Sequence, residues 1–336
     1  MIAQPGSRHA SGRAGCTVGL DLGGTKIFGV ALDATTQRVL DRRKVANPRG
    51  SAAELVAAFE QLIEALTPPT QPLIGVGLGL AGLVDLDGVL RYGPNVPGVV
   101  DFEVRESLES RFDVPVTIDN DASMALRAEL SIGAGAGFDE VLLITQGTGI
   151  GGAFATSGRI VRGANGFAGE PGHMLVQRDG HRCACGRFGC WEAYASGAGL
   201  VNLWSDLFEE GRGRGVLARA GDDVSAVRGE HISAAADDGH SDAVEVFSRF
   251  STWVAQGLAS LVTLLDPEII VLGGGLAVAN RHFLADVQDQ TAAAVLGDHH
   301  RPEVRVVSAQ FGEAAGAIGS ALAAVPGLSP DELSPT

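Results

Sequence analysis

Two stretches of this chain share one build. Residues 17–22 (TVGLDL) form a short apolar run, GGTK turns it, and 27–32 (IFGVAL) reads as its hairpin partner. Far downstream, VLLIT (141–145), the turn QGTGIGG and AFAT repeat the pattern. A repeated strand–glycine turn–strand unit predicts an internally duplicated fold rather than one continuous sheet. Around these units, helical and strand periods alternate. Ser51 with Glu54 makes a capping box for a helix carrying Leu55, Val56, Phe59, Leu62, Ile63 and Leu66, which Pro68-Pro69 stops. Residues 73–80 and 114–119 read as buried strands, and 121–132 as a helix. A long helix is predicted over 241–265, with Val244, Phe247, Val254, Leu258, Leu261 and Leu265 in its apolar stripe. EIIVLGGG (268–275) is a buried strand meeting a third glycine turn, and a small apolar helix follows at about 313–323. The class is mixed α/β with parallel components.

Composition narrows the function classes. Of 336 residues 47 are glycine, about twice the usual ~7%. They lie in clusters between apolar runs, where backbone must approach something closely. The net charge is −15, which disfavours nucleic-acid binding, since phosphate neutralisation needs clustered Lys and Arg. The densest basic stretch, 38–49, reads as a solvated hairpin edge. No apolar run approaches the ~20 residues of a membrane helix, and residues 1–15 lack a signal core, so a cytoplasmic protein with a loose N-terminal tail is expected.

Four groups of residues carry candidate chemistry. In Asp21-Leu22-Gly23-Gly24-Thr25-Lys26, glycine backbone can face an anion, Thr25 adds a hydroxyl and Lys26 a charge. An acid beside such a turn makes sense with a cation such as Mg²⁺ between them. Gly147-Thr148-Gly149 repeats the device, although two ordinary tight hairpins would look similar singly. Asn120-Asp121 ends a strand and opens a helix, which suits either an N-cap or a general base. His173, Cys183, Cys185 and Cys190 offer one imidazole and three thiolates, the donor set of a closed tetrahedral zinc site, with His181 a competing ligand. The other histidines are expected to face solvent, and Cys16 to be an ordinary strand residue. By contrast, Gly77-Leu78-Gly79-Leu80-Ala81-Gly82 matches a dinucleotide fingerprint only in letters, because the following LVDLDGVLRYG is β-type and opens no helix.

Taken together these segments resemble the ROK family of repressors, open-reading-frame proteins and sugar kinases, over about residues 17 to 323. The stretch 172–200 resembles the family's zinc signature, DLGGTK and GTGIGG its two phosphate loops, and VLGGG (271–275) its adenosine segment. GPNVPG (93–98) and IDND (118–121) resemble its sugar-binding and catalytic segments. The whole looks most like the family's bacterial ATP-dependent glucokinases. The resemblance implies a duplicated actin/hexokinase-like ATPase fold of two α/β domains with an interdomain cleft. The expected division is a tail at 1–16, a small domain of 17–120 plus 312–324, a large domain of 121–311 with the zinc knuckle, and a frayed tail at 325–336.

The same resemblance implies roles. Asp121 would take the proton of a sugar 6-hydroxyl. Asn95, Asn120, Glu170, His173 and Glu192 would hold sugar hydroxyls, with His173 using its other ring nitrogen on zinc. Asp21, Gly23, Gly24, Thr25, Lys26, Gly147, Thr148, Gly149, Gly273, Gly274 and Gly275 would hold ATP and Mg²⁺. Gln146 departs from the family's apolar residue before the second loop and is expected to point away from the phosphates. D-glucose is the expected substrate, with an N-acetylhexosamine or another hexose as alternative and polyphosphate as an alternative donor. A homodimer or homotetramer is expected. A sugar-responsive repressor is disfavoured, because about 16 residues before the first strand are too few for a helix-turn-helix module. Residues 201–240 carry no motif that can be placed.

Overall fold

The computed structural model describes residues 14–48, 50–93 and 100–327. Asn95 and most of both terminal tails lie outside them. Among the described residues, twelve strands and ten α-helices form two compact units. One unit ends at Ala128 and resumes at Gly316, and the other runs Glu129–Ala315.

The first unit is built on a five-stranded sheet of order β3-β2-β1-β4-β7. Its strands are β1 (Cys16–Leu22), β2 (Lys26–Asp33), β3 (Val39–Ala46), β4 (Leu73–Leu80) and β7 (Val116–Asn120), with a small hairpin of β5 (Leu83–Val84) and β6 (Leu90–Tyr92) between the last two. β1 pairs antiparallel with β2 and parallel with β4, and β4 is parallel to β7. The basic stretch lies on β3, the exposed edge. One face carries Val18, Leu20, Leu22, Val76, Leu78, Leu80, Val116 and Ile118. It buries them against Leu55, Phe59, Leu62, Ile63 and Leu66 of α1 (Ala52–Leu66) and Leu108 of α2 (Arg105–Phe112). The Ser51–Glu54 capping box is present.

On the opposite face β1 and β4 present Gly19, Gly75 and Gly77 in place of larger side chains. There α10 (Ala315–Ala323) lies so close that a Cβ on Gly19 would strike the Ala317 carbonyl, and one on Gly77 the Ser320 carbonyl. The dinucleotide-like glycine pattern is thus a platform for a small-residue helix, and no helix opens after β4. Thr17 Oγ1 donates to the Ala321 carbonyl at 2.8 Å and fixes the register of that contact. Gly77→Ala should therefore destabilise the fold by about 1–3 kcal/mol, as overpacking does. A denaturation midpoint unchanged from wild type would contradict this packing.

The second unit centres on a sheet of order β10-β9-β8-β11-β12. The strands are β8 (Val141–Gln146), β9 (Ile150–Thr156), β10 (Arg159–Ile160), β11 (Ile269–Gly273) and β12 (Arg305–Ser308). Both sheets therefore open with the hairpin that the repeat predicts, and both add parallel strands beyond it. The helices are α4 (Glu192–Ala195), α5 (Gly197–Glu209), α6 (Arg214–Arg219), α7 (Gly229–Asp237), α8 (Ser241–Leu265) and α9 (Leu284–Ala294). Between the two sheets in sequence runs α3 (Asp121–Ile132).

Two expectations need correction. Val244 is 51% exposed and lies outside the buried stripe of α8, which instead uses Val246, Phe247, Phe250, Val254, Leu258 and Val262. His282 is mostly covered, because its ring stacks on Phe247 with centroids 4.6 Å apart. The motif-free stretch 201–240 is helical, and Leu203, Trp204, Leu207, Val216 and Ile232 put it in the core of the second unit. No helix of the described residues is long and apolar enough to cross a membrane.

Candidate active site and metal centre

In the first unit, parallel register decides where the acids fall. Asp21 pairs with Gly79, and Gly79 with Asp119, so the end of β1 and the IDND segment stand at one height with only a glycine between them. Neighbouring strands ~4.8 Å apart put those two backbones about 10 Å apart. Asn120 is the helix cap: its Oδ1 accepts from the N–H groups of Ala122 (2.8 Å) and Ser123 (3.2 Å), while its Nδ2 donates to the Gly82 carbonyl at 3.0 Å. That leaves Asn120 one amide hydrogen for a ligand. Asp121, relieved of the main capping role, accepts from the Ala122 N–H at 2.9 Å through Oδ1.

Both acids are held above the ordinary carboxylate range. Burial pushes Asp121 up, against the lowering effect of its backbone hydrogen bonds. Asp21 rises to about 8, through burial first and the nearby Asp121 second, while Lys26 pulls it down. Two partly covered carboxylates that repel one another form a region that a cation or a proton would relieve. Gly316 closes on Asp21 from α10, where an added Cβ would lie 2.7 Å from the Asp21 Cγ.

The first glycine turn is braced by a residue that the motif reading missed. Asn47 Nδ2 donates to the Gly23 carbonyl at 2.9 Å, and Asn47 N–H to the Thr25 carbonyl at 3.0 Å. In a trans peptide C=O and N–H point opposite ways, so fixing these carbonyls turns the Gly24 and Lys26 N–H groups to the other side. An Asn directly before Pro48, just after a strand, was the available signal. In the second unit the same logic recurs. Gly197 N–H and Ser196 Oγ hold the carbonyls of Gly147 (2.8 Å) and Thr148 (3.0 Å), so the Thr148 and Gly149 N–H groups face away from α5. Gln146 is buried and donates from Nε2 to the Ala195 carbonyl at 2.8 Å. Gly274, at φ +85°, sits where a Cβ would strike the backbone of Gln146, which binds the third glycine segment to the second. Gly273 is buried and Gly275 is exposed at the turn that follows.

The metal-ligand reading finds its four residues together. The donor atoms of His173, Cys183, Cys185 and Cys190 lie within 4.8 Å of one another. Cys183 Sγ is 3.8 Å from His173 Nδ1, and Cys185 Sγ is 3.7 Å from Cys190 Sγ. Arms of ~2.3 Å at tetrahedral angles separate sulfurs by about 3.8 Å, so the set fits one Zn²⁺-sized ion. His181 is engaged elsewhere: its Nε2 lies 3.0 Å from Asp206 Oδ2. Burial and a hydrogen bond to Glu192 keep the Cys183 thiol well above its usual range. Burial also acts on Cys185, but hydrogen bonds from Arg187 outweigh it and bring that thiol to about 6.

The cluster is anchored to the core through Trp191. Its ring fills the space that Gly257 leaves on α8, and its Nε1 donates to the Trp253 carbonyl at 2.7 Å. This fixes Cys190 on one side of it and Glu192 on the other. Glu192 joins the cluster to the second glycine turn: Oε1 accepts from Cys183 Sγ at 2.8 Å and Oε2 from Ile150 N–H at 3.2 Å. Glu170 and His173 flank a short 3₁₀ turn, Pro171–His173, laid on Gly152, where a Cβ would lie 2.6 Å from Pro171 Cγ. With His173 Nδ1 turned to the thiols, its Nε2 is the nitrogen left for another ligand. Glu170, His173 and Glu192 are each partly covered, and Glu192 lies 3.7 Å from His173 and bonds Cys183 in the cluster.

The model of the ROK family matches residues 17–325. The chain belongs to the ROK family. A glucokinase of Streptomyces coelicolor is 34% identical over 310 residues, spanning 91% of this chain and 96% of its own length. An N-acetyl-D-glucosamine kinase of Pectobacterium atrosepticum is 31% identical, spanning 90% and 97%. The crystal structure of a ROK family glucokinase from Streptomyces griseus, in complex with glucose and AMPPNP, superposes with a TM-score of 0.81 at 35% identity and covers 92% of this chain and 99% of that one. As a ROK family member the chain has the duplicated actin/hexokinase-like fold, each half opening on a glycine hairpin.

Proposed function

We propose that this chain transfers the γ-phosphoryl group of ATP to the 6-hydroxyl of D-glucose. The observation that carries the reading is likeness along the whole length to glucokinases, one of them holding glucose and an ATP analogue. The residues support it. Hexoses are hydroxyl arrays: the carboxylates of Glu170 and Glu192 accept from hydroxyls, and the free ring nitrogen of His173 can donate to one. Asp121 is the base. It is a carboxylate raised by burial, at the mouth of a helix that Asn120 caps, so its own oxygens are available for a proton. The turns at Gly23–Lys26 and Gly147–Gly149 receive phosphates through backbone N–H groups, and Gly273–Gly275 receive the adenosine. Asp21 holds the Mg²⁺ that accompanies ATP. His173, Cys183, Cys185 and Cys190 hold Zn²⁺, which when bound supplies a fixed charge on the Nδ1 side of His173. His173 then presents Nε2 in one orientation and tautomer. Positioning and charge neutralisation carry most of a phosphoryl transfer, and these groups supply both. The reading includes a cytoplasmic homodimer or homotetramer.

The second reading is an N-acetylhexosamine kinase, favoured by the 31% identity to an N-acetyl-D-glucosamine kinase. An ADP-release assay with glucose, mannose, fructose, N-acetylglucosamine and N-acetylmannosamine separates the two. Glucose should give the highest kcat/KM. A preference for a 2-acetamido sugar would replace the first reading with the second, and turnover of none would reject both.

A further inference from the structure

Glu129 is a carboxylate in an apolar place that the reaction does not explain. It lies on α3, two turns past Asp121, and is fully buried. Three backbone N–H groups donate to its side chain: Ala134 (2.9 Å) and Gln310 (3.0 Å) to Oε2, and Phe311 (2.9 Å) to Oε1. Its own carbonyl accepts from Gly133 (3.1 Å) and Gly135 (2.9 Å). Ala134 follows the end of α3, whereas Gln310 and Phe311 lie between β12 and α10. One side chain therefore ties together the two segments through which the chain passes between its units. Three backbone donors converging on one buried side chain make this a firm tie.

Each tied segment ends on an acid of the proposed reaction. Upstream, α3 is a continuous helix with Asp121 as its first residue, about 12 Å from Glu129 at 1.5 Å per residue. Downstream, Phe311 leads through one 3₁₀ turn, Gly312–Ala314, into α10, and Gly316 closes on the Asp21 carboxylate. We propose that Glu129 is a positioning residue: within the register that the sheet gives the two acids, it steadies the base Asp121 through α3 and the Gly316 wall of the cation-holding Asp21 through the segment leading into α10. It touches no substrate. The proposal rests on the kinase reading only for what the two acids do.

The test compares Glu129→Gln with wild type. An amide of the same shape presents NH₂ where an oxygen faced N–H donors, so at least one tie is lost. Gly133→Ala is the second variant: it keeps Glu129 but places a methyl against its Oε2 and 2.8 Å from the Phe311 ring. Two readouts apply to each. The first is hydrogen exchange of peptides covering 118–124 and 312–318, neither of which bonds to Glu129 through the contacts given above. Exchange should quicken in both peptides. The second is steady-state kinetics with whichever sugar the wild type phosphorylates best. There kcat should fall about 10-fold or more, as small misplacements of reacting groups do, while the sugar KM stays within about 3-fold. A merely structural role would lower the melting temperature and leave kcat per folded molecule and exchange at 118–124 as in wild type, and that result overturns the proposal. If Glu129→Gln does not fold, Gly133→Ala decides by the same criteria. A wild type inert on every sugar rejects the kinase reading, and the exchange data still decide the role of Glu129.

Discussion

Asp121→Asn should lower kcat by about 10²–10⁴-fold, the usual worth of a general base. Asn keeps the shape of the side chain and loses the ability to take a proton. The helix should survive the change, because the cap of α3 is Asn120, with two backbone N–H groups on its Oδ1. Stability should therefore shift by well under the ~1 kcal/mol that losing a cap costs. Glucose affinity should change little, since Glu170, His173 and Glu192 are untouched. The pH profile of the wild type adds a second check. Burial raises Asp121, so the basic form is lost at a higher pH than for an exposed aspartate. As pH falls through that raised value kcat/KM should fall with it, and in Asp121→Asn the same limb should vanish from the residual rate. A variant with near-normal kcat would place the base elsewhere, and rapid quench of a single turnover would show whether chemistry or product release had been measured.

The parts of this fold that were legible in the sequence are those where local chemistry and tertiary packing agree. Ser51 and Glu54 cap a helix in any context, and the apolar period from Leu55 to Leu66 meets a sheet of matching width. The repeated hairpin was readable because glycines at a turn between apolar runs leave few other conformations. That His173, Cys183, Cys185 and Cys190 come together was readable because three cysteines and a histidine at short spacing leave few other uses. What escaped has physical reasons. Val244 stands three residues before Phe247, but its neighbours Ala243 and Val246 face the core and turn Val244 toward solvent. His282 is covered through an aromatic stack on Phe247, a long-range partner that spacing cannot reveal. Residues 201–240 hold the rest of α5 and the short helices α6 and α7, and Leu200, Leu203, Trp204 and Leu207 do keep a helical period, so this part was legible as a core helix even without a motif. The glycines at 19 and 77 could be seen as needing close approach, but that the approaching backbone is α10 depends on tertiary contact. Asn47 and Glu129 act on carbonyls and N–H groups of distant segments, and a side chain's bond to remote backbone leaves no pattern in sequence.

On the proposed reading, losing the zinc should weaken glucose binding, and Cys185 is the ligand to remove. It is the exposed cysteine of the four, so Cys185→Ser opens no cavity, and Trp191 still anchors the segment in the core. Zinc content should fall from about one ion per chain toward none, since a hydroxyl is a poor ligand for Zn²⁺ beside thiolates. The glucose KM should rise by about 10–100-fold, the range seen when a group that orients a ligand is lost. Two physical links carry the effect. His173 turns Nδ1 to the cluster, so without the ion its ring loses a fixed orientation. Glu192 accepts from the Cys183 thiol at 2.8 Å, and only a deprotonated Cys183 can bind the ion. A zinc held by these residues would require the Cys183 thiolate and so would leave Glu192 Oε1 open to a sugar hydroxyl, whereas with a thiol at Cys183 that oxygen is occupied. The sign with pH follows: burial holds Cys183 protonated, so zinc should bind more weakly as pH falls. The ATP KM should stay near its wild-type value, because the glycine turns take their order from Asn47 and from the start of α5. Elemental analysis and glucose titration of the same preparation check all of this. Zinc-free protein with an unchanged glucose KM would show that the cluster supports the knuckle alone and has no part in holding the sugar.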